Sequence, residues 1–313
     1  MRVSVIIPVY NGAATLAAAI DSALAQDFAG GFEVIVVNDG STDSSAAVID
    51  RYRGRIKAVA RDNGGLSAAR NSGAAQASGE YLAFLDADDL WMRDKLELTV
   101  RALDCKPGAV LVYSDAVQVD ESGVEISPGF VSPELARAPT MADLLERWWP
   151  ILPSAAMVRR RIFDQLGGFH APMRSYEDMD FWLRARELGE FEYLAHPLVI
   201  YRVTPAAERL VKYEQSYALF MSRVSERYGA AAGPLLRAIR HAHSTALGTR
   251  GLLAMRRGEM GEARRSFIRA LRYEPASLRN GLRLARTLLP GPLARALSGR
   301  TARLRTAADR EPR

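Results

Sequence analysis

With 313 residues, 48% of them hydrophobic and 25% charged, the chain has the make-up of a soluble globular protein with one large α/β domain and a smaller appendage. Its one cysteine, Cys105, excludes a disulfide framework and a cysteine zinc site, and no run of 18 uncharged apolar residues offers a membrane span. The net charge of +6 is a balance of −8 over residues 1–205 against +14 over residues 206–313, a division that points to two modules.

The opening segment is too short an apolar run for a signal peptide, and it meets Pro8 and Asn11 where a signal would continue. Residues 3–9 are a near-continuous β-branched run and read as a buried strand. Residues 15–25 have helical spacing. A second strand over 32–37 stops at Asn38-Asp-Gly-Ser-Thr-Asp43, and a second helix covers 44–52. A third strand over 56–60 leads into Arg61-Asp-Asn-Gly-Gly65, a third helix covers 66–77, and a fourth strand covers 81–85. Strict β-α alternation predicts a parallel, doubly wound sheet with right-handed crossovers. Further on, residues 91–103 read as a helix and 109–113 as a strand. Residues 118–125 read as a hairpin turning at Asp120-Glu-Ser-Gly123, 140–148 as a helix, and 196–203 as the last strand.

The first four strands all end in polar or glycine-rich residues. One sheet edge therefore gathers Tyr10, Asn11, Asp39, Asn63, Gly64, Asp86 and Asp88, where open α/β sheets bind ligands. No G-x-G-x-x-G follows the first strand and no Walker sequence occurs, which argues against a dinucleotide dehydrogenase and a P-loop ATPase. Asp86-Ala-Asp-Asp89 has two readings. Clustered carboxylates repel one another and invite a hard divalent cation. An Asp-rich N-cap ahead of a helix opening at Leu90-Trp91 would look the same.

Five segments then occur in order: Val3-Ser-Val-Ile-Ile-Pro-Val-Tyr-Asn11, Val37-Asn-Asp-Gly-Ser-Thr-Asp43, Gly64-Gly-Leu-Ser-Ala-Ala-Arg-Asn71, Phe84-Leu-Asp-Ala-Asp-Asp89 and Glu177-Asp178. Together they resemble a family 2 inverting glycosyltransferase with the GT-A fold, a mostly parallel nucleotide-sugar-binding sheet, over residues 1–205. The resemblance implies transfer of a sugar from a nucleotide-diphosphate sugar to an acceptor hydroxyl, with Mn²⁺ or Mg²⁺, in cell-surface polysaccharide or glycolipid assembly. Asp86-Ala-Asp88 matches the family's D-x-D. By that match Asp88 binds the metal and Asp86 lies near the ribose or the metal, while Asp89 supports them or caps the next helix. Asp39 would accept a hydrogen bond from a pyrimidine N–H, in keeping with a UDP-sugar. Its plain alternative is a turn residue. Arg70 would face the cleft and pair with base or diphosphate oxygens; otherwise it is an exposed helical arginine. Pro8, Tyr10, Asn11, Asn63 and Gly64 would shape the wall against the nucleotide.

The acceptor hydroxyl must lose a proton as it attacks, and a positioned carboxylate can take it. Glu177-Asp178 matches the family's E-D pair, with Asp178 as base. Asp178 also reads as the N-cap of the helix that Phe181-Trp-Leu183 continues, and Asp180 is the fallback base. Trp148 and Trp149 read as core, with stacking on a sugar as the alternative. Arg159-Arg-Arg161 reads either as a contact for the phosphate of a lipid-linked glycan acceptor or as a solvated basic face. Gly167-Gly168 reads as a tight turn, and acceptor specificity is expected within 115–175. Where many family members carry a histidine after the last strand, this chain has Thr204, so the resemblance assigns no metal ligand there.

Residues 206–313 read as a basic helical module. Residues 206–228 form an amphipathic helix, and the spacing from Gly251 through Phe267 to Pro275 resembles one tetratricopeptide-type helix pair near 245–276. Residues 279–305 continue as Arg-rich helical segments broken by Pro290-Gly-Pro292, and 306–313 read as disordered. Leu282, Ala285 and Leu289 share a face beside Arg279, Arg283 and Arg286. That pattern suits either peripheral contact with anionic lipid or a packed helix with its arginines in water. No nucleic-acid-binding module accompanies the charge, and no nucleic acid is expected. The expected setting is cytoplasmic, peripheral on the cytoplasmic face of the membrane. A rival function is a noncatalytic nucleotide-sugar-binding scaffold that recruits partners through its helical tail. Carboxylates at both sites argue against it. A nucleotidyltransferase would open with a phosphate loop, which Pro8-Val-Tyr-Asn-Gly12 does not provide.

Overall fold

The computed structural model describes residues 1–147, 149–203 and 206–288. Four strands, β1 (Val3–Val9), β2 (Phe32–Asp39), β3 (Lys57–Arg61) and β4 (Tyr81–Phe84), pair in parallel in the order β3-β2-β1-β4. Helices α1 (Leu16–Leu24), α2 (Ser45–Asp50) and α3 (Leu66–Ala75) connect them. All seven residues of β1 are buried, as a central parallel strand covered on both faces requires. Ile6 and Ile7 are fully buried, each worth about 1.5–3 kcal/mol relative to exposure. Gly73 lets α3 close onto the sheet: a Cβ there would lie 2.5 Å from Ile6 Cγ2.

The sheet continues with β5 (Leu90–Trp91), β6 (Ala109–Val119), β7 (Glu125–Ser127), β8 (Ala156–Arg159) and β9 (Glu190–Arg202). β8 lies antiparallel between β4 and β6, β9 runs parallel to β6, and β5 pairs antiparallel with β9. The expected hairpin is present as β6–β7, its turn held by Asp120 Oδ1, which accepts from the N–H groups of Ser122 and Val124. The expected helix over 91–103 starts later. Leu90 and Trp91 are strand residues paired with Ile200 and Val199, and Trp91 Nε1 donates to the carbonyl of Ser154. Helix α4 (Lys95–Cys105) begins after that pairing ends. Its first residue, Lys95, is buried over the Trp91 ring with Nζ donating to the Ala155 carbonyl, and burial lowers its pKa to about 7.

Helices α5 (Met141–Glu146), α6 (Arg160–Gln165) and α7 (Glu177–Arg186) complete this half. Trp149 is core, with Nε1 donating to Tyr113 Oη; Trp148 lies outside the described residues. Neither reading of Arg159-Arg-Arg161 holds for Arg159, while Arg160 stays half-exposed beside Asp164. Arg159 donates to the carbonyls of Ala109 and Leu103, and Arg160 to that of Ala77. Gly167 and Gly168 do form the turn, both at positive φ.

The chain divides into two compact units, Met1–Leu235 and Leu236–Arg313, the second described as far as Leu288. The expected boundary at 205 falls short because α8 (Ala206–Tyr228) belongs to the first unit. Phe220 stacks on Tyr176 with ring centroids 4.8 Å apart, Arg223 pairs with Asp180, and Arg227 pairs with Glu187. Helix α9 (Gly233–Arg256) begins at the boundary. In the second unit α10 (Met260–Tyr273) packs Ala263 and Phe267 against Ala254, and a Cβ at Gly251 would lie 2.6 Å from the Phe267 ring. Helix α11 (Leu278–Leu288) follows. Thr204, Leu289, the Pro290–Pro292 break and the 306–313 tail lie outside the described residues. No described helix is long and apolar enough to cross a membrane.

Candidate active site

Two adjoining cavities open at the carboxyl ends of β1, β2 and β4. The larger, about 590 Å³, is lined by Pro8, Tyr10, Asn11, Asp39, Asn63, Asp86 and Asp88 among others. The second, about 410 Å³, is lined by Arg70, Glu177, Asp178 and the aromatic rings of Phe130, Tyr176 and Tyr201. Asp86, Leu66, Arg174 and Tyr201 border both. The two non-glycine residues at positive φ among those described, Asn11 (53°) and Tyr176 (62°), border one cavity each. A left-handed tyrosine is costly backbone, held here by the Phe220 stack.

The strand ends fix the first cavity. Asn11 Oδ1 accepts from the N–H groups of Thr42 and Asp43, tying the β1 and β2 loops together. Asp39 is 3% exposed. Its Oδ1 accepts from Gly64 N–H (3.0 Å) and its Oδ2 from Gly65 N–H (2.8 Å), just ahead of α3, and Arg61 Nε lies 3.2 Å away. A carboxylate suits a helix N-terminus, where the backbone N–H groups are unpaired. Asn63 Nδ2 donates to the Asp39 carbonyl. Gly64 therefore turns toward Asp39, and it is Gly65 that lines the cavity.

The Asp86–Asp89 loop gives its three carboxylates different surroundings. Asp86 N–H donates to Ser154 Oγ, while its Oδ1 accepts from Arg70 at 2.6 Å. Asp88 is exposed at the cavity. Asp89 is 1% exposed and accepts from Ser154 Oγ (2.6 Å) and Arg202 N–H (3.0 Å). Burial first, then the charges of Asp88 and Asp86, raise its pKa well above the usual carboxylate range. Asp89 therefore caps no helix: it anchors the loop to β9 and to the segment before β8. Ser154 is invisible to motif reading, because its partners lie 65 and 68 residues away in sequence.

Arg70 is neither an exposed arginine nor a lining of the first cavity. It is fully buried beneath the second, with NH2 on Asp86 and NH1 on Glu177 at 2.8 Å. Burial works against its charge, but the attraction of Asp86 and Glu177 outweighs it and raises the guanidinium pKa. One side chain thus joins the acid-rich loop of β4 to the first turn of α7. Nε of Arg70 has no hydrogen-bond partner, and the Phe169 ring lies against the guanidinium, its centroid 5.4 Å from Cζ, within cation–π range.

Asp178 is not the N-cap expected from sequence. Tyr176 takes that position, and Asp178 stands in the first turn with Oδ1 accepting from Met179 N–H (2.8 Å). Burial, then the neighbouring charge of Glu177, push its pKa up to about 7. Such a carboxyl can accept a proton near neutral pH. Asp180 faces away from both cavities and is held by Arg184 and Arg223, which removes it as the fallback base.

Arg174 carries no chemistry in a motif, yet it borders both cavities. Its N–H donates to Ser216 Oγ on α8, Ser67 on α3 donates to the adjacent Met173 carbonyl, and its side chain lies over Gly65. Arg202, also at the first cavity, instead spends NH1 on the carbonyls of Asp120 and Glu121.

Comparison with known proteins gives this geometry its relatives. The model of glycosyl transferase family 2 matches residues 4–167, just over half the chain. A glycosyltransferase of Rickettsia typhi is 30% identical over 237 residues, 72% of this chain and 73% of its own length. The chondroitin synthase of Pasteurella multocida is 30% identical over 195 residues, 61% of this chain and 20% of that protein. The mannosyltransferase PcManGT from Pyrobaculum calidifontis, solved with GDP-Man and Mn²⁺, shares the fold, with a TM-score of 0.58, 20% identity, and coverage of 99% of this chain and 88% of that one. The five sequence segments, the strand order and these matches agree, and the chain belongs to glycosyl transferase family 2 as an inverting glycosyltransferase on the GT-A fold, followed by a helical C-terminal module.

Proposed function

We propose that the protein moves one sugar from a nucleotide-diphosphate sugar, a UDP-sugar first among them, to a hydroxyl of a carbohydrate or lipid-linked glycan. The donor occupies the larger cavity and the acceptor the smaller. The observation that carries the reading is Asp178, a carboxyl with its pKa near 7, in a cavity that shares Asp86 with the strand-end cavity. Asp178 takes the acceptor proton, and Glu177, pinned by Arg70, holds the turn that presents it. Asp39 Oδ1 is shared by Gly64 N–H and the Arg61 guanidinium, while Oδ2, bonded to Gly65 N–H, keeps a lone pair with which to accept from a base N–H. Aromatic rings around the second cavity suit stacking on a sugar face.

Among the described residues no three His, Cys, Asp or Glu side chains form a ready-made metal cluster. The donor set still fits Mn²⁺ or Mg²⁺ brought with the nucleotide. Such ions commonly use one or two carboxylates and complete their shell with phosphate oxygens and water. Asp88 at the cavity and the second oxygen of Asp86 would hold it. When bound, the ion would neutralise charge on the leaving diphosphate.

The chondroitin synthase relative supports a setting in cell-surface polysaccharide or glycolipid assembly. We place the protein in the cytoplasm, with the basic C-terminal helices as a peripheral membrane contact. We keep the tetratricopeptide-type reading of the α9–α10 pair, packed through Phe267 and Gly251, as a proposal. The test is product analysis after incubation with UDP-, GDP- or dTDP-sugars, Mn²⁺ and glycan acceptors. Free nucleoside diphosphate is expected. Pyrophosphate would indicate nucleotidyl transfer, and donor binding without any product would leave the scaffold.

A further inference from the structure

Helix α11 is docked with its polar side inward. Asn280 and Thr287 are 3% and 4% exposed. Asn280 Nδ2 donates to Ser244 Oγ on α9 at 2.9 Å, and Gly248 makes room for it: a Cβ there would lie 2.6 Å from Asn280 Oδ1. Arg264 on α10 donates to the Thr287 carbonyl at 2.7 Å. Leu284 packs inward against the Ala254, Ala263 and Phe267 cluster, but the other three leucines face the other way. Leu278 is 77% exposed and Leu282 67%, with exposed Ala285 completing one helical face and Leu288, 64% exposed, beside it. A helix packed on a core ordinarily turns its apolar side inward. Here only Leu284 does so, the longer apolar stripe is left on the outside, and that marks a docking surface.

Charge selects the occupant. Helix α11 has three arginines and no acidic residue, and the sequence from 275 to 308 has seven arginines and no Asp or Glu. A second copy meeting this face would bring two such basic helices together, with no carboxylate from either helix between them. An anionic bilayer offers hydrocarbon for the leucines and phosphates for the arginines at the matching depth. We infer that the outward Leu278–Leu282–Ala285 face of α11 inserts into an anionic lipid surface, with Arg279 and its neighbours on the headgroups. The inference rests on the reading of the C-terminal helices as the membrane contact, and gives that reading its element and its residues.

The test is flotation of the full chain with phosphatidylcholine vesicles, with and without phosphatidylglycerol. Size-exclusion chromatography with light scattering and transfer to a soluble acceptor are measured on the same samples. Binding is expected only with phosphatidylglycerol. Leu278→Gln and Leu282→Gln should each lower the partition constant on the order of ten-fold, without moving the melting temperature or transfer to the soluble acceptor. Arg279→Gln should weaken binding and its salt dependence. Binding that survives both leucine changes but not salt is surface charge alone and overturns insertion. Absent binding with a leucine-dependent dimer overturns it in favour of a second copy. Absent binding in a monomer overturns it too. Failure of transfer in every sample would instead strike the catalytic reading, whatever the vesicles show.

Discussion

Asp178→Asn separates the chemistry of the site from its architecture. Asparagine keeps the volume and the oxygen that accepts from Met179 N–H, and it loses the charge and the basicity. Removal of a general base costs roughly 10²–10⁴ in rate, so kcat should fall by that factor while the donor-induced thermal shift stays. Stability should move the other way. In the unfolded chain an aspartate releases its proton near pH 4, whereas in the fold burial and Glu177 hold the Asp178 proton up to about 7. Between those values the folded state binds the extra proton. The contribution of this group is therefore most favourable at low pH and declines as pH rises toward 7. With solvent reaching the half-buried carboxylate, the penalty is on the order of 1–2 kcal/mol. Asparagine escapes this penalty. Urea unfolding should show the variant gaining on the wild type as pH rises from about 4 to 8. A variant that is less stable across the whole range would make Asp178 a structural residue. Turnover within a few-fold of wild type would remove it as the base. In the wild type, kcat/KM should rise with pH through an apparent value near 7, as the Asp178 carboxyl loses its proton.

Arg70→Met should strand Glu177, 5% exposed, without its cation and cost about 3–5 kcal/mol in chemical denaturation. Arg70→Lys should recover part of that but not activity, because one ammonium cannot fork between Asp86 and Glu177 as a guanidinium does. A loss under about 1 kcal/mol for the methionine variant would mean the bridge is not structural. Asp88→Ala should abolish transfer and the Mn²⁺-dependent part of donor binding while shifting stability by no more than about 0.5 kcal/mol, since the side chain is exposed; unchanged turnover would end the metal assignment. Arg174→Ala should raise the KM of donor or acceptor on the order of ten-fold at unchanged melting temperature, and steady-state kinetics with each substrate varied in turn would show which. Unaltered KM for both would take Arg174 out of the site.

The sequence by itself determined the frame and the chemistry class. Residues 3–85 alternate β-branched runs with helical spacing, a pattern with one economical packing, and four strand ends carry their polar residues to one edge. Asp39, Asp86, Asp88, Glu177 and Asp178 were legible because strand ends and motif order are local facts. Tertiary structure alone decided which partners those carboxylates meet. Asp89 became an anchor because β9 and Ser154 arrive beneath it, contacts more than 60 residues distant that also turn Leu90-Trp91 into a strand rather than a helix start. Arg70 moved from the cleft surface to its floor because α3 lies close against β1, over a glycine that leaves no room for a methyl group. Arg174, Phe130 and Tyr176 come from segments outside the regular strands and helices, so no pattern announced them. The outward leucines of α11 repeat the lesson: spacing shows that a helix has an apolar face, and only packing shows which way it points.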